Sequence, residues 1–306
     1  MFLNRLPEPK SVLRRFAGWL NGVFTSLLFF STLLACNVLQ TASLALVPFS
    51  RAAFRKFNRF GANVWWGWCV VWAEKIFGTK IIFTGERVPE GENAIVVANH
   101  QQMPDVNVLM SFARRKRRLG DMKWFVKDIV KYVPGPGWGM LFLGCPFLKR
   151  DWSADRERIN KAFSRILKTR MPVWLITFAE GTRITQQKLM HSQAFAKAKG
   201  LVPFKHVLMP RTKGFVASVQ GLRNHVDAIY DMTIGYAGGI PSLWQFIKGH
   251  VKQVHLHVRR YDIKQMPEEP TQLSEWIIER YREKDQLLAY FHQHGHFPGE
   301  LLEEAS

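Results

Sequence analysis

Residues 98–105 read ANHQQMPD. They join an apolar run, Ala94-Ile95-Val96-Val97-Ala98, to an asparagine, a histidine and, five residues after His100, an aspartate, Asp105. An imidazole held by a carboxylate is the pairing that general-base chemistry needs: the acid fixes one ring N–H and leaves the other nitrogen basic. Spacing alone does not establish the pair, because His257 and Asp262 repeat it. Context separates the two. Asn99-His100 closes a strand-like run. Pro104 stands where a first helical turn begins and its missing N–H does no harm. Asp105 then falls at the helix start, where the dipole favours a carboxylate. A strand–turn–helix connection lets Asp105 fold back onto His100. His257 and Asp262 lie in an alternating stretch on opposite faces, which makes that pair structural.

Three basic clusters follow three further apolar stretches. FAEGTR, residues 178–183, puts a Gly181-Thr182 turn between Glu180 and Arg183. Such a turn suits a small anion, and arginine offers two parallel donors to a phosphate. GCPFLKR, residues 144–150, ends on Lys149-Arg150, and VLMPRTKG, residues 207–214, groups Pro210, Arg211 and Lys213. If the apolar stretches are neighbouring strands, their basic ends converge on His100. Asn99, Lys149, Arg150, Glu180, Gly181, Thr182, Arg183 and Pro210 make up the candidate substrate-binding set, with His100 and Asp105 as the candidate catalytic pair.

The elements that must position these residues read as α/β. Strands are expected at Lys80–Phe83, Ala94–Ala98, Val173–Phe178, Ala228–Tyr236 and Val254–Val258. Helices are expected at Val106–Arg114, Ser153–Lys168, Ser192–Lys199 and Ser274–Phe291, with Ser153 and Ser274 as N-caps. Strands alternating with helices favour a layered mixed sheet flanked by helices. The tail from His292 to Ser306 shows no readable role. Its histidines at 292, 294 and 296 read as solvated.

From Phe16 to Ser50 no residue is charged, and this exceeds the roughly 20 residues a membrane-spanning helix needs. Arg14 and Arg15 precede the run, and Arg51, Arg55, Lys56 and Arg59 follow it. The run's length fits one span or a helical hairpin; the two basic flanks do not orient a single span, and suit a hairpin with both ends on the cytoplasmic face or a shallow interfacial anchor. The run is too long for a signal peptide, and no small-residue cleavage site ends it. Trp65, Trp66, Trp68 and Trp72 cluster in Asn63–Gly78, which reads as an interfacial helix. The expected division is an anchor at 1–78 and a catalytic domain at 79–306.

The chain has 306 residues and a formal charge of +19, which points to a polyanionic partner: nucleic acid, an anionic membrane or a phosphate-bearing substrate. Three scattered cysteines, Cys36, Cys69 and Cys145, indicate neither a disulfide framework nor a zinc site. No metal-ligand cluster is visible. The runs RRKRR (Arg114–Arg118) and RYREK (Arg280–Lys284) read as solvated faces. No zinc finger or RNA-recognition signature accompanies them, so nucleic acid is not the expected partner.

The ordered set NHxxxxD, GxxxxxR, FxEGTR and a later proline-centred block resembles the glycerolipid acyltransferases, over roughly residues 80–240. The stretches SQAFAKAKGLVPFKHVLMPR and DAIYDMTIGY are similar to the subgroup that includes lysocardiolipin-type enzymes and a bacterial branch. The resemblance implies that His100 takes the proton of the acceptor hydroxyl and that Asp105 orients it. It implies that Arg150, Glu180, Gly181 and Arg183 shape the acceptor and phosphate site, and that Pro210 lies in the acyl-donor region. It implies direct attack on the thioester of acyl-CoA or acyl-carrier protein, with these as co-substrates and no resident cofactor. The expected acceptor is lysophosphatidic acid, with other lysophospholipids as the alternative; a bacterial inner membrane, entered from the cytoplasmic face, is the expected location. A non-catalytic membrane-anchored module that binds anionic lipid or nucleic acid is the alternative of another class. Two positions depart from the family pattern: Ala179 stands where proline is common, and Gln102 where serine is. Neither removes a charged group from the mechanism.

Overall fold

A computed structural model of the chain describes residues 3–149 and 151–302. Helix α1 spans Val12–Ala42 and starts on Ser11, whose hydroxyl accepts from the Arg14 N–H. At 1.5 Å per residue its 31 residues reach about 47 Å. Its burial is inverted. Gly18, Gly22, Thr25, Asn37 and Gln40 face inward, while Phe16, Trp19, Leu20, Phe24, Leu27 and Phe30 are about half exposed or more. The two glycines permit this docking: a Cβ at Gly22 would lie 2.7 Å from the Trp244 ring. Helix α2, Arg51–Val71, returns antiparallel to α1. Asn58 donates to Ser43 at 3.0 Å, Trp65 donates to Thr32 at 3.3 Å, and Trp68 and Trp72 pack on Phe29. Trp65, Trp68 and Trp72 are thus half-buried packing between the two helices, while Trp66 packs against the core of the body. By length and composition Val12–Leu46 is the one described helical stretch able to cross a membrane.

The body carries β1 (Lys80–Gly85), β2 (Ala94–Ala98), α3 (Asp105–Arg115), β3 (Met122–Trp124), β4 (Val126–Lys127), α4 (Pro136–Phe142), β5 (Phe147–Leu148) and α5 (Trp152–Thr169). It continues with β6 (Trp174–Thr177), α6 (Gln186–Ala198), α7 (Thr212–Leu222), β7 (Ala228–Tyr236), α8 (Leu243–Ile247), β8 (Gln253–Asp262) and α9 (Pro270–His294). Six strands form one sheet in the order β1-β8-β7-β2-β6-β3. All its pairings are parallel except β7–β8, and β4 and β5 form a separate parallel pair. AIVVA in β2 and WLIT in β6 are buried throughout, as parallel strands covered on both faces must be. One core layer packs α3 against the sheet and the other packs α5, α7 and α9. The parallel strands β2 and β6 end at the same edge as β7, where His100 and Phe178 emerge.

Several expected boundaries shift because the polar side chains are used elsewhere. Asp151, not Ser153, caps α5 by accepting from the Ser153 N–H. Helix α9 starts at Pro270, and Ser274 bonds back to the Pro270 carbonyl inside it. Helix α6 starts six residues before the expected Ser192, because Thr185 is its cap and the Ser192 hydroxyl accepts from Met209 instead. The sequence reading passed over α7, in which Gly221 lies against the Phe163 ring where a Cβ would be 2.5 Å away. The RYREK run is not a solvated face: Tyr281 and Lys284 are fully buried. RRKRR is largely engaged as well, through Arg115 with Glu74, Arg117 with Glu90 and Arg118 with Asp121.

Candidate active site

Strand β2 delivers Asn99 and His100 to the edge of the sheet. The Asn99 amide donates to the Ile234 carbonyl at 3.1 Å and accepts from the Ile234 N–H at 2.8 Å. Asn99 is fully buried, so its polar atoms clamp β7 to the loop rather than face a solute. His100 is held at both backbone atoms: its N–H donates to Glu180 Oε1 at 2.8 Å, and its carbonyl accepts from Ile184 at 2.9 Å. The imidazole stacks on Phe178, 3.9 Å between ring centres, which fixes its plane.

Asp105 opens α3, and its carboxylate is fully buried. Oδ2 lies 2.9 Å from His100 Nδ1 and accepts from the Gln102 N–H at 2.8 Å. Oδ1 accepts from the Tyr236 hydroxyl at 2.6 Å. A carboxylate beside Nδ1 places the imidazole proton there and leaves the lone pair on Nε2. His100 remains slightly exposed, with 13% of its side chain accessible. A hydroxyl reaching Nε2 therefore meets a base braced from behind. His257 and Asp262, the competing pair, lie apart: His257 contacts Thr84, and Asp262 caps a turn at Lys264. Burial pushes His257 down to about 4.

Glu180 is the tie of the second loop. Oε1 takes His100 and Oε2 takes the Leu208 N–H at 3.2 Å. Burial pushes its carboxyl up to about 8, against the pull of those two N–H donors and of Lys284. Gly181 sits at φ +69°, and a Cβ there would lie 3.0 Å from the Arg211 side chain. The positive φ is what calls for glycine here. The Arg211 N–H donates to the Ala179 carbonyl at 2.6 Å, so the proline-centred block is laced to the FAEGTR turn. Pro210 is half-buried between these ties. Thr182 accepts from Lys188 at 2.6 Å, and the exposed Arg183 donates to Gln102 at 3.1 Å. Arg183, Arg211 and Lys188 thus gather beside the His100 loop, where an anion would sit.

Lys149 directly follows β5 and is exposed, with its N–H bound to Asp155 at 2.8 Å. Among the described residues no hydrogen bond joins its ammonium to His100, Glu180 or Arg183. Arg150 lies outside the described residues.

The sequence reading missed the supports behind the loop. In the sequence Tyr236 reads only as the end of a strand. On α9, the Tyr281 hydroxyl donates to the Ala98 carbonyl at 3.0 Å. The fully buried Lys284 pairs with Asp231 and donates to the Met232 carbonyl at 2.6 Å. The available signal was a helical period placing Tyr281, Lys284 and Leu288 on one face with Ile277.

Comparison with known proteins places this site in a lineage. Residues 80–237 match the acyltransferase family, and residues 245–305 match the acyltransferase C-terminus family. A probable 1-acyl-sn-glycerol-3-phosphate acyltransferase 5 of Arabidopsis thaliana is 35% identical over 255 residues, which is 81% of this chain and 68% of that one. The human 1-acyl-sn-glycerol-3-phosphate acyltransferase gamma is 34% identical over 277 residues, 89% of this chain and 74% of its own. The crystal structure of the 1-acyl-sn-glycerophosphate acyltransferase PlsC of Thermotoga maritima superposes with a TM-score of 0.54 at 18% identity, over 89% of this chain and 98% of that one. That likeness establishes the fold. With its sheet, its sequence relatives and its family match in agreement, the chain belongs to the acyltransferase family and is an acyltransferase enzyme.

Proposed function

We propose that this enzyme transfers a fatty acyl group from a thioester, acyl-CoA or acyl-carrier protein, to the free hydroxyl of 1-acyl-sn-glycerol-3-phosphate. The product is phosphatidic acid. The observation that carries the reading is the chain of contacts from Tyr236 through Asp105 to His100 Nδ1, set beside Arg183 and Arg211. His100 Nε2 takes the hydroxyl proton as the oxygen attacks the thioester carbonyl. Asp105 stabilises the imidazolium that forms. The tetrahedral intermediate collapses, the C–S bond breaks, and the thiolate takes the proton back from His100. No acyl-enzyme forms. Arg183 and Arg211 offset the acceptor phosphate, Lys149 adds a further positive charge, and Pro210 borders the donor side. Asn99, Glu180, Gly181 and Thr182 hold the two loops in shape. The names of the relatives support the acceptor.

The inverted burial of α1 supports attachment to a phospholipid membrane, and the basic residues at both ends of the apolar run suit contact with anionic headgroups. The test is thiol release from oleoyl-CoA by purified protein, with lysophosphatidic acid, lysophosphatidylglycerol and lysophosphatidylethanolamine offered in parallel and His100→Ala as control. Release with lysophosphatidic acid that vanishes in the control is the expected result. Preference for another acceptor would move the substrate within the lysophospholipids. No release with oleoyl-CoA, nor with oleoyl-acyl-carrier protein in a second trial, would overturn the proposal.

A further inference from the structure

We infer that the segment from Ile129 to Leu141 is a second, rigid membrane-contacting platform, which seats in the same phospholipid bilayer as α1. This rests on the membrane reading above and extends it to a part of the catalytic body. Single exposed apolar residues are ordinary on any surface. Here Ile129, Tyr132, Val133, Trp138 and Leu141 are between 41 and 68% exposed, within thirteen residues of chain. Concentrations of this kind mark interaction sites.

The segment is built rather than loose. The Gly135 N–H donates to the buried Asn37 Oδ1 of α1 at 2.8 Å. A Cβ at Gly137 would lie 1.8 Å from the Val130 carbonyl oxygen, so that turn closes tightly on itself. At its base, Asp128 is held by Lys131 at 3.0 Å and by Arg158 at 2.8 Å. Its polar atoms are thus tied inward while its large apolar side chains point out.

Continuity with α1 identifies the occupant. A Cβ at Gly135 would sit 3.1 Å from Leu33 Cδ2 and 3.8 Å from Phe30. Phe30 is itself 52% exposed and belongs to the apolar face of α1. The two surfaces therefore meet at Phe30 and form one apolar field. The strand pair at the base is flanked by exposed lysines, Lys127 on β4 and Lys149 just after β5. Lysines bordering an apolar field suit anionic headgroups, and Tyr132 and Trp138 suit the boundary between water and hydrocarbon. A bilayer satisfies every one of these features at once. Seating the segment there also places Lys149 at headgroup depth, where a lipid acceptor presents its phosphate.

The experiment uses the full chain with its three cysteines replaced by alanine and single reporters introduced as Phe24→Cys, Trp138→Cys or Glu268→Cys. Each is labelled with a polarity-sensitive fluorophore and reconstituted in phosphatidylcholine–phosphatidylglycerol vesicles, with or without nitroxide-bearing lipid. Quenching at 24 and 138 but not at 268 is the expected result. Quenching at 24 alone overturns the platform and leaves the membrane reading intact. Quenching at neither removes both. A Trp138→Ser/Leu141→Ser variant supplies a second reading. It is expected to slow transfer to a vesicle-borne acceptor at least fivefold and to keep its rate on a short-chain acceptor dispersed as monomers. Equal losses on both would mark a folding defect and count against the platform.

Discussion

The Tyr236 hydroxyl donates to Asp105 Oδ1 at 2.6 Å from a position 131 residues along the chain. With Gln102 and His100 it completes a set of three donors around one buried carboxylate. Tyr236→Phe keeps the ring and removes one donor, a loss of about 1.5 kcal/mol. We expect kcat to fall about tenfold with KM little changed, by steady-state kinetics. A raised KM at unchanged kcat would place Tyr236 in acceptor binding instead.

His100→Ala removes the base and Asp105→Asn removes the charge that orients it. Both are expected to lower kcat by about 10²–10⁴. Circular dichroism should show His100→Ala folded, because the backbone atoms of His100, not its ring, hold Glu180 and Ile184.

Arg183 is exposed and tied only to Gln102 among its described side-chain contacts. Arg183→Ala should leave stability unchanged and raise KM for a phosphorylated acceptor by about tenfold to a hundredfold, the worth of a charge-assisted hydrogen bond. The same variant should act normally on a phosphate-free monoacylglycerol. Equal losses on both acceptors would contradict a phosphate contact.

Glu180 gives a stability prediction with a definite sign. Its carboxyl is pushed from 4.5 up to about 8 by burial. Between those limits the folded state keeps a proton that the unfolded chain has released, so stability falls as pH rises. The slope is at most about 1.4 kcal/mol per pH unit. Glu180→Gln lacks this titration. Melting curves from pH 5 to 8 should show the parent losing ground to the variant, and a constant offset would refute the assignment.

Lys284 and Asp231 form a buried ion pair beneath the site. Lys284→Met alone strands the carboxylate and should cost about 3–5 kcal/mol. Adding Asp231→Asn should restore much of that, as urea titration of both variants would measure.

The sequence showed the chemistry better than its supports. Asn99-His100 and Asp105 were legible because an apolar strand, a proline and a helix start frame them within eight residues. The strand Ala228–Tyr236 was legible from its residue types, and its bounds match β7. That the Tyr236 hydroxyl faces Asp105 was not, since strand order and register are set by long-range pairing. Lys284 was misread because a charged run is ordinarily solvated. Only its packing against Asp231 makes it an interior residue. The short strands β3, β4 and β5 carry too few residues for periodicity to register.

The contacts from α9 to the sheet also impose an order in time. His100 and Asp105 leave the ribosome long before Tyr281 and Lys284, which anchor the Ala98 and Met232 carbonyls. Until α9 docks, the Asp231 carboxylate lacks the lysine that pairs with it in the interior. A nascent chain that has made β7 but not α9 has the residues of the His100–Asp105–Tyr236 chain without the supports that α9 adds beneath them.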